Sequence, residues 1–231
     1  MDLNHLIQLD HEWTLALNGS DSIFWDNVMF TYTNTFSWTL VIITLLTIIF
    51  KNNTPQRGFA ILLTMILLIA VADRLCSGLV KPLVARWRPT QDPELMYLVD
   101  IVRGYRGGLY GFFSGHACNT MCMATFLSWL FRYRNVTITL VFWSLSTTFT
   151  RIYLGVHHLG DILVGFTIGV ILGTLFYFLM SYLMKRFGKS GKMISSSFTP
   201  TGYLVDDMHV LLTVIFANYI LVTVFAMFLS F

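Results

Sequence analysis

The sequence predicts an all-α, polytopic membrane protein: about six transmembrane helices of ~20 residues each, with an N-terminal amphipathic segment. Three observations lead there. Of 231 residues, 55% are hydrophobic and only 12% charged, a balance foreign to soluble domains. The apolar residues fall into runs long enough to cross a bilayer, separated by polar stretches. Lysine and arginine gather in particular connecting stretches instead of being spread along the chain.

Residues 1–35 set Leu3, Leu6, Ile7, Trp13 and Leu17 at partly helical spacing among acidic positions. That pattern predicts an amphipathic helix lying on the membrane, then a turn at Asn18–Ser20. No Lys or Arg precedes residue 36, so no cleavable signal peptide is expected. The first span is expected from about Met29 or Phe36 to Phe50, ending in the basic loop Lys51–Arg57. A second runs from about Phe59 to Val80 and opens into a polar stretch, Lys81–Gly111. The third covers about Ser114–Phe131, the fourth Val136–Tyr153, the fifth Ile162–Met184 and the sixth Val210–Phe228. The whole chain reads as a single membrane domain.

Alternate loops hold Lys51 and Arg57, then Arg132 and Arg134, then Lys185, Arg186, Lys189 and Lys192. The positive-inside rule makes those loops cytoplasmic and turns the Lys81–Gly111 stretch and the Gly155–Gly160 turn outward. Those stretches therefore face the periplasm or exterior. The outward stretch nevertheless carries Lys81, Arg86, Arg88, Arg103 and Arg106. An anionic ligand explains the exception. The three cysteines, Cys76, Cys118 and Cys122, sit in apolar runs and read as small core residues rather than a disulfide framework or metal site.

The segment Thr150–Asp161 places an arginine, two histidines and an aspartate in an otherwise apolar region. A charge at mid-bilayer costs about 2.5–3.5 kcal/mol on insertion scales, so such residues mark function by default. Asp161 lies four residues after His157 and can fix its tautomer. Mutual neutralisation of Arg151 and Asp161 between packed helices is the plainer alternative. Two further clusters share that membrane face: Lys81 to Pro89, with Arg88, and Phe113–His116, with Ser114 and Gly115. Three cations and two imidazoles suit a phosphate.

Phosphoryl transfer spreads charge over the equatorial oxygens, so catalysis is largely positioning and electrostatic stabilisation. Arg88 and Arg151 can grip those oxygens as forks and Lys81 as a point charge. The Ser114 hydroxyl and the backbone N–H groups around Gly115, at a helix N-terminus, form an anion cradle. His157, oriented by Asp161, attacks phosphorus; His116 protonates the leaving oxygen and then activates water.

These residues resemble the type 2 phosphatidic acid phosphatase family, whose motifs read Lys-x6-Arg-Pro, Pro-Ser-Gly-His and Ser-Arg-x5-His-x3-Asp. Here they are Lys81 to Pro89, Phe113 to His116 and Thr150 to Asp161. Two positions depart: Phe113 replaces the proline, and Thr150 the serine. The five-residue gap after Arg151 selects His157 and leaves His158 as a bystander or supporting group. The resemblance implies a metal-independent phosphatase of lipid phosphates or pyrophosphates, with no cofactor. It puts undecaprenyl diphosphate first, with lipid A and phosphatidylglycerophosphate as rivals. The expected partners are the substrate lipid and membrane lipids, with no nucleic acid; nothing in the sequence sets an oligomeric state.

A lipid phosphotransferase shares the same motifs, since water and an acceptor alcohol compete for one intermediate. A transporter or binder of anionic lipid needs neither His116 nor His157 and favours internal repeats, which are not evident here. Vanadate-dependent haloperoxidases share these residues but are soluble. Two-metal hydrolysis needs clustered carboxylates, and Asp92, Glu94, Asp100 and Asp161 show no recognisable ligand spacing. His5, His11 and His209 are expected at the surface.

Overall fold

The computed structural model describes residues 2–187 and 196–229. The expected cytoplasmic residues Lys189 and Lys192 lie outside them. Helix α1 (Leu3–Ala16) is followed by α2 (Ile23–Tyr32), a 3-10 turn (Thr35–Trp38) and α3 (Thr39–Lys51). Helix α4 (Pro55–Asp73) continues through a π-helical turn (Arg74–Val80) into the short α5 (Lys81–Val84). Helices α6 (Gly115–Phe131), α7 (Arg134–Tyr153), α8 (Leu159–Phe187) and α9 (Val205–Met227) complete the bundle. Among the described residues no strand forms beyond two isolated bridges.

Local chemistry marks the helix starts. Thr54 accepts from the Arg57 N–H at 3.4 Å, with Pro55 as first residue of α4. Ser114 accepts from the Ala117 N–H at 3.4 Å and opens α6. The first span departs from expectation. Ile23–Tyr32, inside the segment assigned to the membrane surface, and Thr35–Lys51 are together apolar enough for one span but meet at a 72° bend, the shape of a broken span or a re-entrant segment.

Among the described residues, three helices are fit by length and apolarity to cross a membrane, or four with the bent pair counted once. The expected six are not reached on that measure, because α6 and α7 are not among them. Helix α6 has 17 residues, nine of them buried, and α7 carries Thr139, Ser144, Thr147 and Thr148 toward the interior. Surrounded by other helices, this pair need not be uniformly apolar. Outer helices instead expose Ile43, Leu63, Ile66, Ile171 and Leu175, as lipid-facing surfaces require.

A close seam joins α6 to α8. A Cβ at Gly165, Gly169 or Gly173 would lie 2.7, 2.8 or 2.4 Å from the carbonyl oxygens of Ser114, Cys118 and Cys122. Glycine every fourth residue thus lets the two backbones touch. Cys118 and Cys122 are fully buried free thiols on that seam, in keeping with a packing role. The seam also sets level: Ser114 N–H donates to the Asp161 carbonyl at 3.0 Å. An aromatic group of Tyr32, Trp38, Trp143 and Tyr219 ties the bent span to α7 and α9.

Candidate active site

The turn between α7 and α8 carries His157 and His158. Gly155 makes it possible, with φ +65° and a position where a Cβ would lie 2.3 Å from Val99. Asp161 then serves twice. Its Oδ2 accepts from the His158 backbone N–H at 3.1 Å, reaching back over the first turn of α8, and lies 3.3 Å from His157 Nδ1. On the far side of His157, Arg88 Nη1 lies 3.2 Å from Nε2. A guanidinium can only donate, so Nε2 accepts and Nδ1 carries the proton toward Asp161. Burial pushes the His157 imidazole down to about 3, which keeps the ring neutral near pH 7.

Arg88 stands on the stretch that returns from α5. A short antiparallel pairing holds it: Arg88 N–H donates to the Leu109 carbonyl at 3.0 Å and Gly111 N–H to the Arg86 carbonyl at 2.9 Å. Arg88 Nη1 also donates to the Val156 carbonyl at 2.9 Å. Gly111 passes so close to the turn that a Cβ there would sit 2.8 Å from Asp161 Oδ2.

Arg151 is buried at the end of α7. Its Nη1 donates to Thr33 Oγ1 at 2.7 Å and its Nη2 to the Tyr105 hydroxyl at 3.1 Å, with the guanidinium 5.5 Å from the Tyr105 ring centre. Lys81, Arg88 and Arg151 are all close enough to His116 to act on it electrostatically. The eight residues expected at the site therefore gather at one end of the bundle. The Ser114 cradle differs from expectation. Its hydroxyl oxygen is taken by the Ala117 N–H and its own N–H by Asp161, which leaves the N–H groups of Gly115 and His116 without intrahelical partners.

The structure adds residues that the motifs did not single out. Arg86 donates from Nη1 to Asp161 Oδ1 at 3.0 Å and from Nη2 to Asp10 Oδ2 at 2.7 Å. Asp10 Oδ1 also accepts from Gly160 N–H at 2.8 Å, and Thr14 Oγ1 from Leu159 N–H at 3.1 Å. Helix α1 thus caps α8. His11, expected at the surface, instead stacks on His158 with ring centres 5.3 Å apart. The excess of arginine in the outward stretch was the one sequence signal for Arg86; Thr33, Tyr105 and the α1 residues gave none.

A helical membrane bundle that gathers three cations and two imidazoles at one end defines an integral membrane protein built to handle a phosphate. The chain belongs to the PAP2 superfamily, whose family model matches residues 57–185. It is 38% identical over 186 residues to a lipid A 4'-phosphatase of Bacteroides thetaiotaomicron, covering 80% of this chain and 82% of that one. A second lipid A 4'-phosphatase, from Porphyromonas gingivalis, is 32% identical over 80% of this chain and 78% of its own. In fold, the chain is similar to the crystal structure of a PAP2-type phosphatidylglycerolphosphate phosphatase from Bacillus subtilis. The TM-score is 0.60 at 22% identity, over 81% of this chain and 90% of that one.

Proposed function

We infer that this membrane phosphatase removes a phosphate monoester from lipid A, at its 4' position, by way of a phosphohistidine and without a metal at the reacting phosphate. The observation that carries the mechanism is the His157 ring held between Asp161 and Arg88. With Nδ1 turned to Asp161, Nε2 is the free nucleophile. As Nε2 attacks phosphorus, Arg88 exchanges its contact with Nε2 for a phosphate oxygen. The Nε atoms of Arg88 and Arg151 are buried and lack hydrogen-bond partners among the described residues. A phosphate oxygen supplies what these donors lack. Lys81 and the N–H groups of Gly115 and His116 complete the cradle. The P–O bond to the lipid breaks as His116 delivers a proton to the leaving oxygen. Water, deprotonated by His116, then cleaves the P–N bond and frees His157 and inorganic phosphate.

Two observations support a lipid substrate, and the names of the relatives favour lipid A over undecaprenyl diphosphate, which the motifs alone put first. A cavity of about 410 Å³ opens between α3, α6, α7 and α9, lined by Trp38, Val41, Leu45, Leu127, Leu140 and Ile215. Its walls also include His116 and Thr33, the latter bound by Arg151. An acyl chain fits that apolar space with its headgroup at the cations. The positive-inside pattern favours an inner-membrane protein with this end in the periplasm.

The test is phosphate release by purified protein in detergent with EDTA, from lipid A, undecaprenyl diphosphate and phosphatidylglycerophosphate, alongside His157→Ala. Release is expected to be fastest from lipid A, with mass spectrometry showing loss of the 4'-phosphate. Vanadate should block it, and His157→Ala should abolish it. Faster release from undecaprenyl diphosphate would reverse the substrate assignment, and activity surviving in His157→Ala would reject the phosphohistidine.

A further inference from the structure

Next to the His157 turn, three residues from distant parts of the chain come together. His11 from α1, Asp92 from the Lys81–Gly111 stretch and His158 from the α7–α8 turn each offer one donor atom, all within 4.8 Å of one another. They lie 81 or 66 positions apart in sequence, so no ligand spacing betrays them.

A second observation points to a ligand. His158 is completely buried, yet neither ring nitrogen has a hydrogen-bond partner among the described residues. Its Nδ1 faces Asp161 Oδ2 at 3.7 Å, beyond hydrogen-bond length. A buried imidazole left so is costly. The arrangement matches the carboxylate–histidine–metal pattern, in which a carboxylate orients one ring nitrogen and the other binds the ion. The local charge agrees. Asp10, Asp92 and Asp161 face the stacked imidazoles from three elements, against the single guanidinium of Arg86.

We propose that His11, Asp92 and His158 bind a divalent transition-metal ion of the zinc class, which clamps α1 to the turn carrying His157. Two imidazoles and a carboxylate suit such an ion, with water completing a tetrahedral shell. Bonds of ~2.0–2.2 Å draw the three donors closer together than they now lie. None of the ion's three ligands is among the residues assigned to the phosphate. The ion is therefore compatible with phosphoryl transfer that needs no metal at phosphorus.

The experiment uses full-length, tag-free protein in detergent, stripped with chelator and titrated with Zn2+ against a chromophoric competitor. Co2+ serves as a second probe, through its visible absorption. One tightly bound ion per chain is expected, with a Co2+ spectrum of tetrahedral type. His11→Gln, Asp92→Asn and His158→Gln should each weaken binding about tenfold or more, while His5→Gln and His209→Gln leave it unchanged. Absence of stoichiometric binding would overturn the proposal, as would binding unaltered in His11→Gln. Should His158→Gln fail to fold, the two less buried positions, His11 and Asp92, decide the matter. The readout is independent of catalysis, so its failure is distinct from failure of the phosphatase assignment.

Discussion

Arg86 holds Asp161 from the side opposite His157, with Nη1 3.0 Å from Oδ1. The same guanidinium reaches Asp10 on α1 at 2.7 Å, so the carboxylate that orients the proposed nucleophile is itself fixed by the N-terminal helix. Charge-assisted hydrogen bonds of this kind contribute about 1.5–3 kcal/mol. Arg86→Ala should therefore lower kcat by about 10- to 100-fold with little change in KM, and Arg86→Lys should recover part of the loss. A purely structural Arg86 would instead lower the amount of folded enzyme and leave kcat per folded molecule intact.

His116 can be separated from His157 by the choice of leaving group. For lipid substrates, His116→Ala should slow turnover by about 10²- to 10⁴-fold, the usual worth of a general acid. With p-nitrophenyl phosphate the leaving group needs no proton. The variant should then release one rapid equivalent of nitrophenolate and stall as the phosphohistidine. Stopped-flow absorbance reads the burst; a steady, burst-free trace would remove His116 from the second step.

Gly111 tests how tightly the returning stretch packs on Asp161. A Cβ there would lie 2.8 Å from Asp161 Oδ2, whereas one at Gly108 meets nothing within 4 Å. Gly111→Ala should depress kcat at least tenfold by displacing the carboxylate, with Gly108→Ala indistinguishable from wild type. Equal effects at both sites would contradict the packing described.

The buried neutral His157 makes stability depend on pH. Its folded value of about 3 lies below the ordinary 6.5. Below pH 6.5 the unfolded chain takes up a proton that the folded chain refuses. Stability is then lost as pH falls from about 6.5 toward 3, by roughly 2 kcal/mol at pH 5. Tm measured in detergent should fall over that range in wild type and fall less in His157→Asn. Parallel curves for the two proteins would mean that the imidazole gains a proton without leaving the fold.

The sequence alone determined the helical membrane class and offered the eight candidate site positions, because both leave local marks. Apolar runs register the lipid that a helix must face, and charges within such runs stand out because they are costly. The spacings within Lys81–Pro89, Phe113–His116 and Arg151–Asp161 are short, each confined to a helix end and the turn beside it, with the third running across one turn from α7 into α8. The helix start at Ser114 was legible for the same reason, whereas α4 begins at Pro55, inside the expected loop and four residues before the expected Phe59. Tertiary structure decided the rest. The 72° bend that brings Thr33 to Arg151, the capping of α8 by Asp10 and Thr14, and the stacking of His11 on His158 join positions more than a hundred residues apart. No periodicity encodes such contacts. They follow from how the α6–α8 glycine seam sets the helix levels, and from the need of an exposed helix start to find its hydrogen bonds elsewhere in the chain.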